Sequence, residues 1–178
     1  KILKPNGSLM VSGTFHVIYS IGYAMQQLNM KILNNITWQK PNPPPNLACR
    51  YFTHSTETII WAAKNTKSKH KFNYELMKEI NDDKQMKDVW VMTAPGKAEK
   101  TYDKHPTQKP LSLLDRLILA ATDEGDLVLD AFNGSGTTGV SCIRTNREYI
   151  GIELEKEFIQ LSEKRFSEQT KLNDKLSA

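Results

Sequence analysis

Apolar positions along the chain follow two repeats, one of period two and one of helical period. Residues 8–12 (SLMVS) come after a Pro5-Asn6-Gly7 turn and predict a buried strand. Beyond Gly13, Phe15, Ile18, Tyr19, Gly22, Met25 and Leu28 recur at helical spacing, which predicts a helix over 15–29 with these residues on one face. Residues 32–38 and 57–63 read as two strands separated by a proline-rich loop containing Asn42-Pro43-Pro44-Pro45. From 64 to 109 the chain is polar and lysine-rich, interrupted by Val89-Trp90-Val91, and the expectation there is loop with short elements.

The last third has the clearest pattern. Pro110 opens a helix whose apolar face is Leu111, Leu114, Leu117, Ile118 and Ala121, with Gly125 just past its end. Residues 126–132 predict a buried strand, NGSGTTG (133–139) a glycine turn, and 137–145 a helix. Residues 148–154 give another strand, and 155–170 a charged helix with Phe158, Leu161 and Phe166 on its apolar side. Strand, helix, strand, helix predicts an α/β fold with a doubly wound parallel sheet.

Composition changes this picture little. At 178 residues the chain fits one domain, and 39% hydrophobic with 25% charged residues describes an ordinary globular protein. No apolar run is long enough to span a membrane. The net charge of +4 permits a polyanionic partner without demanding one. Cys49 and Cys142 lack metal-type spacing and read as reduced thiols, and His16, His54 and His70 have no partners at ligand spacing, so no metal site is expected. A cytoplasmic protein is the expectation.

The glycine turn carries the chemistry. Gly134-Ser135-Gly136-Thr137-Thr138-Gly139 fits G-x-G-x-x-G, and Glu153 ends the next strand at the spacing of the dinucleotide fingerprint. Asp130 argues against a dinucleotide. At the end of the first strand its carboxylate would face a pyrophosphate docked on the helix N-terminus, and like charges repel. The same carboxylate suits S-adenosylmethionine, which has a sulfonium, an ammonium and no phosphate. Glu153 then takes the ribose hydroxyls. A nicotinamide-dependent oxidoreductase is thereby weakened.

Asp130-Ala131-Phe132-Asn133-Gly134-Ser135-Gly136-Thr137-Thr138 closely resembles the D-x-F-x-G-S-G-T-T motif of beta-group DNA amino-methyltransferases. Two more segments resemble that group in its circularly permuted order: His105-Pro106-Thr107-Gln108-Lys109-Pro110 ahead of the helix, and Tyr149-Ile150-Gly151-Ile152-Glu153 after the turn. Residues 34–63 and Asp88-Val89-Trp90 are also similar, most of all to its DpnII-type adenine methyltransferases. The resemblance implies a Rossmann-like S-adenosylmethionine-dependent methyltransferase fold over 1–178, a single domain incomplete at its N-terminus. It implies that Asp130, Phe132, Asn133, Gly134, Ser135 and Gly136 line the cofactor, that Glu153 holds the ribose, and that Thr107 and Lys109 approach the methionine carboxylate. Thr137 and Thr138 either contact the cofactor or cap the following helix.

Enzymes of this group flip a base out of the duplex and stack it on the aromatic residue of an Asp/Asn/Ser-Pro-Pro-aromatic tetrapeptide. Asn42-Pro43-Pro44-Pro45 offers the amide and the prolines but no ring, and Gln39-Lys40-Pro41 separates it from the strand before it. By the group's motif order, the catalytic tetrapeptide is expected upstream of Lys1. In the methyltransferase sheet its strand lies between 126–132 and 8–12, so both of these are expected to have open edges without it.

For DNA, two basic runs stand out: Lys64, Lys67, Lys69, His70 and Lys71, then Lys97, Lys100 and Lys104. They read either as a solvated surface or as phosphate contacts, with Lys67, Lys69 and Lys100 the candidates. The resemblance places target recognition within 64–104. Lys40, Asn42 and Arg50 are DNA candidates in the proline loop, where loop-stabilising hydrogen bonds are the alternative. Trp38, Trp61 and Trp90 are expected to pack in the core or the hairpin and not to serve as base-stacking platforms. The expected function is transfer of a methyl group to N6 of adenine in double-stranded DNA, ahead of N4 of cytosine, within a restriction-modification system. A cognate restriction endonuclease and a homodimer are possible partners, GATC is the target by resemblance alone, and a catalytically silent DNA- or cofactor-binding subunit is the rival.

Overall fold

The computed structural model describes residues 2–100, 102 and 107–177, and the chain divides into two compact units, Lys1–Thr93 and Ala94–Ala178. In the first, strands β1 (Ser8–Gly13), β2 (Lys31–Gln39), β3 (Thr56–Ala63) and β4 (Val89–Val91) form a four-stranded sheet in the order β1-β3-β2-β4. β3 is antiparallel to both neighbours, with Met10 opposite Trp61 and Ile36 opposite Ile59. β4 runs parallel to β2 and sets Trp38 beside Trp90. Side chains alternate across a strand, so Ile60 and Ala62 face one side of the sheet while Ile59 and Trp61 face the other.

Helix α1 (Ile18–Gln27) covers the first side, where Ile18 and Met25 join Ile60 and Ala62 in a core bordered by Leu9, Val11, Ile21 and Met30. Ile36, Trp38, Ile59, Trp61 and Trp90 are buried as well, as is Met77 of α2 (Tyr74–Glu79). Lying under cover on both faces, β3 has an unbroken apolar run from Ile59 to Ala63 instead of an alternation. The three tryptophans are core residues, as expected. Each indole N–H is satisfied: Trp38 donates to the Met92 carbonyl at 2.8 Å, Trp61 to Ser8 Oγ at 3.0 Å and Trp90 to the Lys87 carbonyl at 2.7 Å.

α1 is shorter than its apolar spacing predicts. It starts at Ile18, since the N–H groups of Val17 and Ile18 both turn back to the Thr14 carbonyl at 3.1 and 3.0 Å. Its end is a Schellman turn: Asn29 takes φ +54°, Asn29 N–H donates to the Gln26 carbonyl and Met30 N–H to the Met25 carbonyl. Phe15 therefore lies outside the helix and is half-exposed, stacked on His54 with ring centroids 4.4 Å apart. Tyr19 and Leu28 are also exposed, so the buried face is narrower than the sequence spacing implies.

The proline loop joins β2 to β3, and Lys40 N–H closes the hairpin on the Ser55 carbonyl at 2.7 Å. Inside it, Asn46 Nδ2 donates to the Tyr51 carbonyl at 2.6 Å, and Asn46 Oδ1 accepts from Ala48 N–H at 3.0 Å. After β3, the start of the lysine-rich stretch is tied to the N-terminal turn. Lys64 Nζ donates to the Leu3 carbonyl at 2.6 Å, Ser68 Oγ to the Pro5 carbonyl at 2.6 Å, and Lys69 N–H to Asn6 Oδ1 at 3.0 Å.

In the second unit, β5 (Leu127–Asp130) and β6 (Glu148–Gly151) form a parallel pair connected by α4 (Thr137–Arg144), with Leu129 opposite Ile150. α3 (Leu111–Ala121) precedes this βαβ unit and α5 (Lys156–Ser177) follows it. Both strands are shorter than predicted, and they are not buried on both faces. Leu127, Leu129 and Ile150 are between two-fifths and one-half exposed, at 47%, 41% and 48%. α3 packs with a face shifted from the predicted one: Leu117 and Ile118 are buried as expected, together with Leu113 and Ala120, while Leu111, Leu114 and Ala121 are only partly covered. Residues 113, 117 and 120 satisfy the helical period as well as 114, 117 and 121 do, so the neighbouring elements decide which stripe faces inward.

Among the described residues, β1 pairs with β3 alone and β5 with β6 alone. The two cysteines are free, Cys49 exposed and Cys142 buried. Burial, the largest cause, pushes the Cys142 thiol up to about 12. A thiol reagent at pH 8 is expected to label Cys49 within minutes and Cys142 only after unfolding. Mass spectrometry of the labelled peptides checks this, and rapid labelling of Cys142 in the native protein would refute it.

Candidate functional site

β5 ends on Asp130, and the carboxylate folds back onto the turn that follows. Asp130 Oδ1 accepts the Phe132 N–H at 3.0 Å, and Oδ2 accepts the Thr138 hydroxyl at 2.6 Å. Gly134 and Gly136 take φ of +51° and +75°, a region open to glycine at little cost, so the chain reverses within three residues. Gly136 occupies the N-cap position of α4, and no side chain caps that helix. The capping alternative for Thr137 and Thr138 is thus corrected. Thr138 bonds Asp130, whereas Thr137 Oγ1 lies 3.3 Å from Ser135 Oγ and accepts from Arg165 at 3.0 Å.

The second carboxylate comes from just beyond β6. Glu153 Oε2 accepts the Gly134 N–H at 2.7 Å, and Oε1 accepts the N–H groups of Leu154 and Glu155 at 2.9 and 3.1 Å. Asn133 ties the two strand ends together. Its N–H donates to the Ile152 carbonyl at 3.0 Å, and its Oδ1 accepts the Tyr149 hydroxyl at 2.5 Å. Burial and then the Asp130 charge hold the Tyr149 phenol well above its usual range, so it stays a neutral donor. Asn133, Ser135 and Thr137 are buried, while Phe132 stands almost fully in solvent at 91% exposure.

Hydrogen bonds therefore hold the turn of Asn133, Gly134, Ser135, Gly136 and Thr137 together, with the Asp130 and Glu153 carboxylates bonded against it. Thr107 is exposed and Lys109 partly buried, both just ahead of α3, while Lys104, His105 and Pro106 lie outside the described residues. Sequence reading missed Tyr149 and Arg165 as partners of the turn. Arg165 left a trace: it is a cation on the side of α5 that carries Phe158, Leu161 and Phe166.

In the first unit, Lys40 is already engaged, 2.6 Å from Glu57 Oε1 and over the Trp38 ring at 4.7 Å. Asn42 and Arg50 are exposed on the same loop. Phe15, His16, Tyr51 and His54 gather at the loop's base, with centroids of 3.8 Å for Phe15–His16 and 5.3 Å for Tyr51–His54. Lys67 and Lys69 are exposed in this unit, and Lys100 is exposed in the other. Among the described residues, no group of His, Cys, Asp or Glu could hold a metal ion.

A family model described as a DNA methylase matches residues 1–164. The chain belongs to that family. It is 59% identical over 174 residues to the type II methyltransferase M2.DpnII of Streptococcus pneumoniae, covering 97% of this chain and 65% of that protein. It is 61% identical over 167 residues to M2.LlaDCHI of Lactococcus lactis subsp. cremoris, covering 93% and 62% respectively. With M2.MboI of Moraxella bovis the identity is 56% over 170 residues, or 96% of this chain and 62% of that one. This DNA methylase chain thus spans 62–65% of the length of these curated relatives.

Among solved structures, the complex of M1.HpyAVI with SAM superimposes with a TM-score of 0.77 at 36% identity, covering 91% of this chain and 75% of that one. The cytosine-N4-specific PvuII DNA methyltransferase matches with a TM-score of 0.77 at 22% identity, covering 93% and 66%, which shows the shared fold. The α/β methyltransferase fold expected from the sequence is the fold of this methylase.

Proposed function

We propose that this chain carries the cofactor-binding part of a site-specific DNA methyltransferase, which moves a methyl group from S-adenosylmethionine to N6 of adenine in double-stranded DNA. The observation that carries the reading is the pair of carboxylates, Asp130 and Glu153, bracketing a glycine turn. Asp130 opposes a pyrophosphate at the helix N-terminus, and with Glu153 it suits a ligand with positive charge and ribose hydroxyls. Each carboxylate is already held by backbone N–H or hydroxyl donors, so its remaining lone pairs are aimed before any ligand arrives. This donor set fits S-adenosylmethionine.

In this reading Glu153 accepts from the ribose, while Asp130, Phe132, Asn133, Gly134, Ser135, Gly136 and Thr137 shape the rest of the site. Thr107 and Lys109 serve the carboxylate end of the cofactor. When bound, S-adenosylmethionine supplies an electrophilic methyl on a sulfonium. The adenine amine must have its lone pair turned out of ring conjugation to accept it, which calls for the prolyl-aromatic tetrapeptide. Asn42-Pro43-Pro44-Pro45 has proline where that ring belongs, so we assign the tetrapeptide to a segment outside residues 1–178. Arg50, Asn42, Lys67, Lys69 and Lys100 are exposed for DNA contact, with 64–104 the recognition region; Lys40 would first have to leave Glu57. The type II methyltransferase names of the relatives support a restriction-modification setting, with a cognate endonuclease as the proposed partner and the cytoplasm as the proposed place of action. No helix among the described residues is long and apolar enough to cross a membrane.

Tritiated methyl transfer by the full-length protein to unmethylated duplex DNA tests the reading, with digestion to nucleosides to locate the label. The expected product is N6-methyladenine. Tight cofactor binding without any transfer to DNA would overturn it.

A further inference from the structure

Arg165 reaches from α5 to the inside of the glycine turn. Its Nη1 donates to the Ser135 carbonyl at 2.6 Å and to Thr137 Oγ1 at 3.0 Å. The Ser135 carbonyl and the Gly136 N–H are the two ends of one peptide plane, and that N–H donates to the Asn133 carbonyl at 2.9 Å. The plane is therefore fixed at both ends. A flip of this plane changes ψ of Ser135 and φ of Gly136, and glycine accepts either sign of φ, so without the guanidinium the flip is cheap on the Gly136 side.

The surroundings keep Arg165 in place. Burial disfavours its charge, and the carboxylates of Glu99 and Glu168 favour it. Glu99 is itself anchored, since its Oε2 accepts the Leu111 N–H at 2.8 Å and its carbonyl accepts Gln108 Nε2 at 2.7 Å. The charge of Glu99, fixed against the start of α3, thus favours the guanidinium that holds the glycine turn.

We propose that Arg165 is a positioning residue: by fixing the Ser135–Gly136 peptide and the Thr137 hydroxyl from behind, it holds the turn in the conformation that binds the cofactor. The inference rests on the S-adenosylmethionine reading given above. Both bonds leave one nitrogen, Nη1, whose two N–H groups are held in the rigid guanidinium plane, whereas an ammonium sits on a shorter, freely rotating stem.

Calorimetric titration of the full-length protein with S-adenosylmethionine separates affinity from the fraction of folded sites. Arg165→Met is expected to weaken binding tenfold or more at unchanged stoichiometry, and Arg165→Lys to fall between it and the parent. Leu161→Ala, a buried apolar change on the same helix, is expected to lower the melting temperature and leave the dissociation constant within twofold. Several results would overturn the inference: unchanged affinity in Arg165→Met, a loss of stoichiometry alone, an equal affinity loss in Leu161→Ala, or parent-like binding by Arg165→Lys if Arg165→Met does not fold. If the parent protein itself fails to bind S-adenosylmethionine, the cofactor reading falls instead.

Discussion

Gly136→Ala is expected to destabilise the protein by about 2–5 kcal/mol, combining roughly 1–2 for a left-handed non-glycine residue with roughly 1–3 for overpacking. A Cβ at this position would lie 2.5 Å from Ser162 Cβ and 2.9 Å from the Phe166 ring, on a backbone with φ +75°. Ser162 Cβ is fixed to its own helix and cannot swing aside as the end of a long side chain does. Either α5 or the turn must move. Gly125 separates the two contributions, since its φ is +78° but a Cβ there meets nothing within 4 Å. Gly125→Ala should thus cost only the conformational part, roughly 1–2 kcal/mol. Urea unfolding of both variants checks this through the midpoint at unchanged slope. Equal losses for the two would show that α5 does not press on the turn.

Glu153→Ala is expected to weaken S-adenosylmethionine binding by about 2–3 kcal/mol, roughly 30- to 150-fold, the range for losing a charge-assisted acceptor. Its carboxylate acts on both sides of the turn. In the protein it accepts three backbone N–H groups, those of Gly134, Leu154 and Glu155. In the proposed complex it also meets the ribose. Glu153→Gln keeps one carbonyl oxygen for the Gly134 N–H and should lose less than the alanine variant. Direct titration distinguishes them, and alanine binding within twofold of the parent would remove Glu153 from the site.

Both predictions concern residues that the sequence marks, yet it marks them unequally. Asp130, the glycines and Glu153 form a linear motif because a strand-turn-helix-strand unit brings its own ends together over about two dozen residues. The order of the elements is likewise a local property of apolar spacing, and the turn residues between them follow from φ preference. Such features need no knowledge of distant packing. The inward stripe of α3 is different, because two stripes satisfy the same period and the neighbours choose Leu113 over Leu114. Phe15 is another case: its spacing fits α1, but the Thr14 carbonyl starts the helix three residues later and leaves the ring to stack on His54.

Asn42-Pro43-Pro44-Pro45 shows the same division. Its sequence alone separates it from a base-stacking tetrapeptide, since the ring is missing and the preceding strand is too far away. Only the folded hairpin reveals that Lys40, beside it, is held by Glu57 and Trp38. By itself, then, the sequence determined the α/β class, the order of elements, the glycine turn and its two carboxylates, all encoded by residues close along the chain. The tertiary structure alone decided which faces are buried, which charges are already paired, and that Arg165, 30 positions away, holds the Ser135 carbonyl. Those outcomes depend on contacts between segments far apart in the chain, which no local pattern specifies.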